Sequence, residues 1–257
     1  MPKNEMDTGL LYKAAALEAQ EVTEAELKEI NKHAMTPLTA DDVFTFSAIL
    51  CDNEIDRQYE RFSDKALNDL KKLYVGRTVI KDHEPLADNQ VARIYATELV
   101  NPGKNNSLGN AYTQLKAHCY MAKTDSNRDL ITDIRAGIKK EGSVGFRAAS
   151  ALCSICGTDN TKTYCPHWPG RKYAKDTGEE LCTFLLDSVT DAYEFSLVAI
   201  PAQRAAGVSK SYTGQTEYEP EAVPEAPETP DTTAEKAQEL MLRARIAEKS
   251  STLVKEK

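Results

Sequence analysis

The chain has 257 residues, of which 41% are hydrophobic, and this is enough to bury the core of one main domain. Its 32 basic residues are outnumbered by 40 acidic ones, and the net charge of −8 excludes overall attraction to nucleic acid or anionic lipid as its organising feature. The sequence shows no run of about 18 uncharged apolar residues and no signal-peptide pattern. We therefore expect a soluble, intracellular protein that has neither a membrane nor nucleic acid as a partner.

The first part of the chain shows helix and strand patterns in turn. Residues 8–34 have a helix-forming composition, with Thr23 as a candidate N-cap. The stretch VFTFSAIL alternates like a strand, and FSDKALNDLKKLY predicts a helix capped by Ser63 or Asp64. The next stretch, GRTVIKDHEP, predicts a short strand that ends at His83.

The middle of the chain predicts a hairpin and then a helix that leads into a glycine-flanked serine. Residues 91–100 and 111–121 predict two strands joined by the turn-rich NPGKNNSLGN. The stretch DSNRDLITDIRAGIKK predicts a helix capped by Asp125 or Ser126, and its apolar face consists of Leu130, Ile131, Ile134 and Ile138. The following EGSVGFRA places Ser143 at the start of a strand. A further strand is expected in FLLDSVTDAYEFSLVAIP, which carries Glu194.

Beyond residue 210 the composition changes. YEPEAVPEAPETPDTT is acidic and rich in proline, as is typical of an unpacked linker, and AEKAQELMLRARIAEKS regains helical character. We predict an N-terminal helical segment (1–41), a main domain (42–210) and a disordered acidic tail with a C-terminal helix (211–257). The tail either binds a partner or is simply solvated, and composition does not distinguish these alternatives.

A cluster of cysteines predicts a metal site. The stretch CSICGTDNTKTYCPHWPG has the pattern C-x2-C-x8-C-x-H. The four candidate metal ligands in it are Cys153, Cys156, Cys165 and His167. Four protein ligands would make a closed, structural zinc site, which we expect to stabilise an insertion at residues 151–182. The alternative is a set of unrelated buried thiols, as we expect for Cys51, Cys119 and Cys182. No cofactor is expected for catalysis.

Three residue types that together activate a hydroxyl nucleophile occur in the order His83, Ser143, Glu194. A serine becomes nucleophilic when a histidine accepts its proton and a third group orients the imidazole. The GSVG stretch does not match the G-x-S-x-G nucleophile elbow. The chain also lacks a P-loop, an H-E-x-x-H helix and a Rossmann glycine fingerprint, so phosphoryl transfer, zinc hydrolysis and dinucleotide chemistry are unsupported.

The segments IKDHEP, EGSVGFR and YEFSLVAIPAQRAAGV together resemble the prohead proteases of tailed bacteriophages, over roughly residues 43–208. The resemblance implies a serine endopeptidase of capsid maturation. It also implies an α+β fold like that of the herpesvirus assemblins, a small β-barrel surrounded by helices. Such an enzyme would act inside the prohead in the host cytoplasm, where it cleaves extensions of the scaffold and the major capsid protein, and itself. The portal protein is a further candidate partner, as is a second copy of the chain.

Carried over to this sequence, the resemblance implies that Ser143 is the nucleophile and His83 the base. Glu194 matches the acidic position of the family, while the second histidine of the assemblins leaves His118 as the alternative third member. The backbone N–H of Gly145 is the first candidate for an oxyanion donor, and Arg147 is the second.

Two other functions compete with the protease. The first is a noncatalytic, zinc-stabilised capsid assembly or scaffold protein, in which GSVG is a turn and His83 is structural. The second is a zinc-knuckle nucleic-acid binder. Its footprint would comprise the basic residues Lys162, Arg171, Lys172 and Lys175 and the stacking surfaces Trp168 and Tyr173. This footprint is thin on a chain with a net charge of −8.

Overall fold

The first helix begins at a capping motif in the N-terminal segment. The computed structural model describes residues 22–176 and 178–209, so the predicted tail and the first part of the predicted helical segment lie outside the described residues. Helix α1 (Glu24–Asn31) is capped by Thr23, whose hydroxyl accepts the N–H of Glu26 while the Glu26 carboxylate accepts the N–H of Thr23 at 2.9 Å. The predicted cap at Thr23 is confirmed.

The described residues form mostly strands, with few helices. Besides α1, the α-helices are α2 (Asp64–Leu73) and α3 (Arg128–Arg135). The strands are β1 (Val43–Asp52), β2 (Glu60–Phe62), β3 (Thr78–Lys81), β4 (Ala92–Val100), β5 (Gln114–Ala122), β6 (Gly142–Cys153), β7 (Lys172–Lys175), β8 (Gly178–Leu181), β9 (Phe184–Leu197) and β10 (Gly207–Ser209). The predicted hairpin is β4–β5, which pair antiparallel, and the predicted cap of α2 is Ser63.

Eight strands form one sheet in the order β10-β1-β5-β4-β3-β9-β2, with β6 also paired to β9, while β7 and β8 form a separate hairpin. The α+β class is confirmed. The predicted closed barrel is not seen, because in the described residues the start of β6 is linked to β10 only through the isolated bridge between Glu141 and Gly207 and the hydrogen bonds beside it. A three-residue β10 is too short to continue that bridge into a ladder. In the part of the chain that the structure describes, the predicted surround of helices is likewise reduced to three short α-helices.

The core lies between the sheet and α2. Leu67, Leu70 and Tyr74 on the inner side of α2 and its C-cap are fully buried, as are Val79 of β3 and Phe195 of β9. Because Val79 and Phe195 face this core, the residues directly before and after them in β3 and β9 face the other side of the sheet. The candidate catalytic side chains lie on that other side.

Helix α3 is shorter than predicted. It begins after a 3-10 turn at Asp125–Asn127, and the hydroxyl of Thr124 caps this turn by accepting the N–H of Asn127. The helix ends before Gly137, which takes a left-handed φ of 71° that interrupts the helical path. Ile138, predicted on the buried face, is therefore 68% exposed in the loop that precedes β6.

Helix α1 packs on the outer face of the sheet. Ile30 is buried with Val43 and Tyr95, and the Tyr95 hydroxyl donates to Glu26 at 3.1 Å. These contacts attach the described part of the N-terminal segment to the main sheet. Among the residues that the structure describes, none of the helices has the length and apolar character needed to cross a bilayer.

Candidate active site and metal centre

Strand β9 lies at the centre of the candidate active site. It pairs in parallel with β3 on one edge and antiparallel with β6 on the other. In the β6 register, Ser143 is opposite Ser196 and Gly145 is opposite Glu194. Directly paired residues project their side chains from the same face of a sheet. Ser143, Ser196 and Glu194 therefore share the face that points away from the Phe195 core.

His83 lies where the chain leaves β3, beside the same part of β9. Its Nδ1 is 2.8 Å from Oε1 of Glu194, and its backbone N–H donates to Oγ of Ser196 at 2.8 Å. The structure therefore brings together two of the three predicted catalytic residues, His83 and Glu194. With Nδ1 facing the carboxylate, the second ring nitrogen, Nε2, is left for a hydroxyl proton.

The carboxylate of Glu194 is mostly withdrawn from solvent. Its side chain is 12% exposed, whereas that of His83 is 43% exposed. Burial raises the pKa of Glu194 above its usual value, while the hydrogen bond and charge of His83 act in the opposite direction. Among the described residues, Oε2 of Glu194 has no hydrogen-bond partner, so His83 supplies the polar contact of this carboxyl group.

Ser143 is one strand away from these two residues. Its backbone is directly opposite Ser196, the residue that holds the N–H of His83. Paired residues that exchange hydrogen bonds have Cα atoms about 5.5 Å apart. Within the described residues, the Ser143 hydroxyl makes no hydrogen bond with His83 or with another residue. Catalytic hydrogen bonds are often long without substrate and shorten when it binds.

Two glycines flank Ser143 because side chains from β9 fill the space beside them. A Cβ atom on Gly142 would lie 2.1 Å from Cζ of Phe195, and one on Gly145 would lie 2.4 Å from Oε1 of Glu194. Gly142 thus allows close packing of the core, and Gly145 leaves room for the carboxylate that holds His83. The small residues around Ser143 are explained by the strand and not by a turn.

If Ser143 is a nucleophile activated by His83, we expect Gly145→Ala to lower its reactivity by about 10- to 100-fold, because the new methyl group displaces Glu194 from His83. Gly142→Ala is the matched control, since it collides with the Phe195 core and should lower the free energy of unfolding by about 1–3 kcal/mol. The rate at which a serine-reactive fluorophosphonate probe labels Ser143 and the thermal melting temperature would be measured for both variants. Equal loss of activity per folded molecule in the two variants would contradict this assignment of Gly145.

The ladder between β6 and β9 changes the choice of oxyanion donor. The N–H of Val198 donates to the carbonyl of Glu141 at 3.1 Å, and strict alternation then directs the N–H of Gly145 toward β9. The N–H of Gly142 points to the opposite edge, where it donates to Ala206 at 3.2 Å. By the same alternation the N–H of Val144 points to that opposite edge. Gly145 is therefore replaced as the candidate donor by Val144, the residue directly after Ser143.

Arg147, the second predicted donor, lies farther along β6. It follows the irregularity between Gly145 and Phe146 and is paired with Asp191 of β9. Successive strand residues rise about 3.3 Å each, so its backbone is roughly 13 Å from that of Ser143. This position does not favour Arg147 as an oxyanion donor.

His118, the alternative third member, is engaged elsewhere in the sheet. Its Nδ1 is 3.1 Å from the hydroxyl of Ser47, and its Nε2 is 3.0 Å from Oε1 of Glu98. This is a second hydroxyl, imidazole and carboxylate arrangement. However, Ser47 lies in β1 between the paired strands β5 and β10, and ladders on both edges use the backbone N–H groups that an oxyanion would need. The arrangement therefore fits a structural role.

The predicted metal ligands are brought together in the insertion. The ligand atoms of Cys153, Cys156, Cys165 and His167 all lie within 4.8 Å of one another. The sulfur atoms of Cys156 and Cys165 are 3.4 Å apart, and Nδ1 of His167 is 3.3 Å from the sulfur of Cys165. Tetrahedral zinc with bonds of about 2.3 Å to sulfur holds its sulfur ligands about 3.8 Å apart. The cluster can hold a metal ion and is compatible with structural zinc.

Local structure around the cluster favours metal binding. Gly157 takes a φ of 73° and its N–H donates to the carbonyl of Cys153 at 2.8 Å, which closes the turn between the first two cysteines. Hydrogen bonding with Thr158 lowers the pKa of the Cys156 thiol to about 6, and the thiolate is the form that binds metal.

Cys182 also belongs to this region, which the sequence did not indicate. Its sulfur is 3.9 Å from that of Cys153, and both are buried. The two cysteines are 29 residues apart, and they meet because Cys153 ends β6 opposite Phe184 of β9. Only the pairing of β6 with β9 brings them together, and the spacing of the cysteines carried no sign of it.

The metal cluster lies at the opposite end of β6 from Ser143. Ser143 is the second residue of this strand and Cys153 is the last, so the rise per residue separates them by roughly 30 Å. The insertion therefore lies at the far ends of β6 and β9. The separation does not favour a role for the cluster in shaping access to Ser143.

The basic residues of the insertion are partly neutralised. Lys162 is 3.0 Å from Asp159, and Lys175 is 2.6 Å from Glu180. Two of the four cations in the predicted nucleic-acid footprint thus already contact carboxylates, which further weakens that interpretation.

Comparison of this chain with protein-family models, with curated proteins and with solved structures finds no match.

Proposed function

We propose that this chain is a serine endopeptidase in which Ser143 is the nucleophile, His83 the general base and Glu194 the group that orients the imidazole. The observation that carries the proposal is the 2.8 Å contact between Nδ1 of His83 and Oε1 of Glu194, on the strand next to Ser143. A buried carboxylate on Nδ1 fixes the tautomer that accepts a proton at Nε2 and stabilises the imidazolium that follows.

In the proposed reaction the Ser143 oxygen attacks the peptide carbonyl while its proton passes to Nε2 of His83. The carbonyl oxygen becomes an oxyanion, and the N–H of Val144 is the backbone donor available at the open edge of β6. His83 then gives its proton to the departing amine, and an acyl ester forms on Ser143. A water molecule loses a proton to His83 and attacks the ester. The bond between the acyl carbon and the Ser143 oxygen then breaks, His83 returns the proton to that oxygen, and the carboxylic acid product leaves.

The resemblance to prohead proteases supports a role in phage capsid maturation. Under that proposal the substrates are extensions of the scaffold and the major capsid protein, together with the chain's own tail, and the reaction takes place inside the prohead in the host cytoplasm. An assemblin-like fold is part of the same proposal. The main sheet supports it only at the level of the α+β class.

We further propose that the metal of the insertion is zinc and that its role is structural. Three thiols and one imidazole are a donor set that zinc binds in closed, four-coordinate sites. Bound zinc would hold the beginning of the insertion against its middle, at Cys165 and His167, and the catalytic residues above act without it.

A fluorophosphonate probe tests the protease proposal without knowledge of the cleavage sequence. The probe forms a covalent bond with an activated serine, and peptide mass spectrometry identifies the labelled residue. We expect labelling at Ser143 in the wild type and a rate at least about 1,000-fold lower in His83→Ala. His118→Ala is the matched control, because it removes the imidazole that contacts a different serine, Ser47, and its rate should be unchanged.

Several results would count against the proposal. Labelling at Ser47 in place of Ser143 would assign the nucleophile to the Ser47, His118 and Glu98 arrangement. Labelling of Ser143 that is insensitive to His83, or no labelling of any serine in the folded chain, would favour the noncatalytic assembly protein. Incubation of the wild type beside Ser143→Ala, followed by intact mass measurement, then determines whether the tail is removed by this serine.

A further inference from the structure

The backbone at His83 adopts a conformation that needs external support. Asp82 and His83 both have a φ of 55°, in the left-handed region that residues other than glycine rarely adopt. Such conformations persist where surrounding contacts hold them, and they concentrate at functional sites. The contacts that hold this pair therefore determine where the imidazole lies.

The contacts come from the end of β9. The N–H of Asp82 donates to the carbonyl of Leu197 at 3.0 Å, which continues the pairing of β3 with β9. At His83 the chain turns away from β9, and the N–H donates instead to the side-chain oxygen of Ser196 at 2.8 Å. The Ser196 hydroxyl thus takes the place of a backbone acceptor at the point where the ladder ends.

Ser196 lies between the proposed base, His83, and the proposed nucleophile, Ser143. It is completely buried, it is directly opposite Ser143 in β6, and it is two residues from Glu194 on the same face of β9. His83 is therefore attached to one strand at two points, by its backbone to Ser196 and by its imidazole to Glu194. Two attachments restrict both the position and the rotation of the ring relative to Ser143.

We infer that Ser196 is a positioning residue of the active site, which holds His83 in its left-handed conformation so that the imidazole meets both Glu194 and Ser143. This inference rests on the proposed protease function. Ser196 lies in the YEFSLV segment that carries the resemblance, but a serine between apolar residues of a strand indicates no role of its own.

The test compares Ser196→Ala with the wild type by the kinetics of fluorophosphonate labelling at Ser143. We expect the maximal labelling rate to fall about 10- to 100-fold with little change in the half-saturating probe concentration, because the base is displaced while the probe site remains. Ser188→Ala is the matched control. It removes another hydroxyl from β9, one that accepts the Lys65 ammonium at 3.0 Å, and it should leave the rate unchanged.

Two further measurements separate positioning from folding. Proton NMR of the wild type should show a slowly exchanging, low-field resonance from the proton between Nδ1 of His83 and Glu194. This resonance should broaden in Ser196→Ala and persist in Ser188→Ala. The variant Ser196→Thr retains the hydroxyl and should recover most of the labelling rate.

The outcomes distinguish this inference from the proposed function. If the wild type labels at Ser143 and Ser196→Ala labels equally fast, the positioning role is wrong and the protease proposal stands. Equal slowing in the alanine and threonine variants would assign the effect to packing and also overturn the inference. If the wild type shows no labelling at Ser143, the protease proposal fails, and the NMR comparison alone then decides whether Ser196 holds His83.

Discussion

Replacement of Glu194 by glutamine is expected to lower the rate of Ser143 acylation by about 10,000-fold while the chain remains folded. The amide has nearly the shape of the carboxyl group, but it carries no charge to stabilise an imidazolium. It can also present its NH2 group to Nδ1 of His83, which favours the tautomer with the proton on Nε2. In that tautomer His83 cannot accept the proton of Ser143. The labelling rate and the mass of the autocleavage products would both report the loss.

The pH dependence of stability gives an independent check on the same variant. Burial raises the pKa of Glu194 in the folded state, so the folded chain binds this proton more tightly than the unfolded chain does. The contribution of Glu194 to the free energy of unfolding therefore declines as the pH rises from the usual pKa of glutamate to the raised pKa of Glu194 in the folded chain. At higher pH this contribution stays low. Glu194→Gln lacks this decline. The difference in unfolding free energy between variant and wild type should thus shift in favour of the variant across this window.

Activity should change with pH in the opposite direction. The carboxylate is the catalytic form of Glu194, so the wild-type labelling rate should fall as the pH drops through the raised pKa, at a higher pH than for an ordinary glutamate. Glu98→Gln is a matched control, because Glu98 contacts the other imidazole, that of His118. If Glu98→Gln slowed labelling as much as Glu194→Gln, the assignment of Glu194 as the third member would be wrong.

The order of residues along the chain suggested the members of the proposed site but not the residues that support them. His83 at the end of a strand, Ser143 between glycines and Glu194 in a strand could be recognised because each residue type has a chemical role. Ser196 gains its role only from the register of β9 with β3 and β6, and Cys182 gains its place near Cys153 only from the pairing of β6 with β9. Pairing between distant strands depends on packing of the whole sheet, and a single sequence does not encode it in any local pattern.

The sequence predicted most of the helices and strands, but its local patterns did not predict whether the sheet closes into a barrel. Local signals located the cap at Thr23 and the hairpin of β4 and β5, since caps and hairpins depend on a few neighbouring residues. Whether β6 and β10 join into a barrel depends on the length of a three-residue strand and on a single bridge at Gly207. The end of α3 was missed because Gly137 stops the helix earlier than its apolar period suggested.

Removal of the metal is expected to unfold the insertion while the main sheet stays folded. The insertion has a small core, in which Cys153, Cys165 and Cys182 are buried with Phe184, and its regular structure is a hairpin of two four-residue strands. Such a hairpin is marginal in water without further support. Structural zinc contributes about 10–16 kcal/mol of apparent binding free energy at neutral pH, far more than the hairpin can supply.

Hydrogen exchange before and after chelation would measure this effect. Amides of β7 and β8 should lose their protection, whereas those of β1 and β5 should keep it. Native mass spectrometry of the wild type should show one bound zinc, and Cys153→Ser should lose it and behave like the chelated wild type. Cys119→Ser is the control, since Cys119 is buried in the main core away from the cluster, and it should retain the metal. A metal content that is unchanged in Cys153→Ser would remove the basis for the site.

The same experiment tests whether the metal centre is independent of the active site. Because β6 separates Cys153 from Ser143 by roughly 30 Å, chelation should change the labelling rate at Ser143 by less than about 10-fold. Cys182→Ser should keep its zinc if His167 is the fourth ligand, and His167→Asn should lose it. The reverse result would assign four thiolates to the metal. A collapse of Ser143 labelling on chelation would mean that the insertion determines the register of β6 and β9, and the active site would then depend on the metal through that shared ladder.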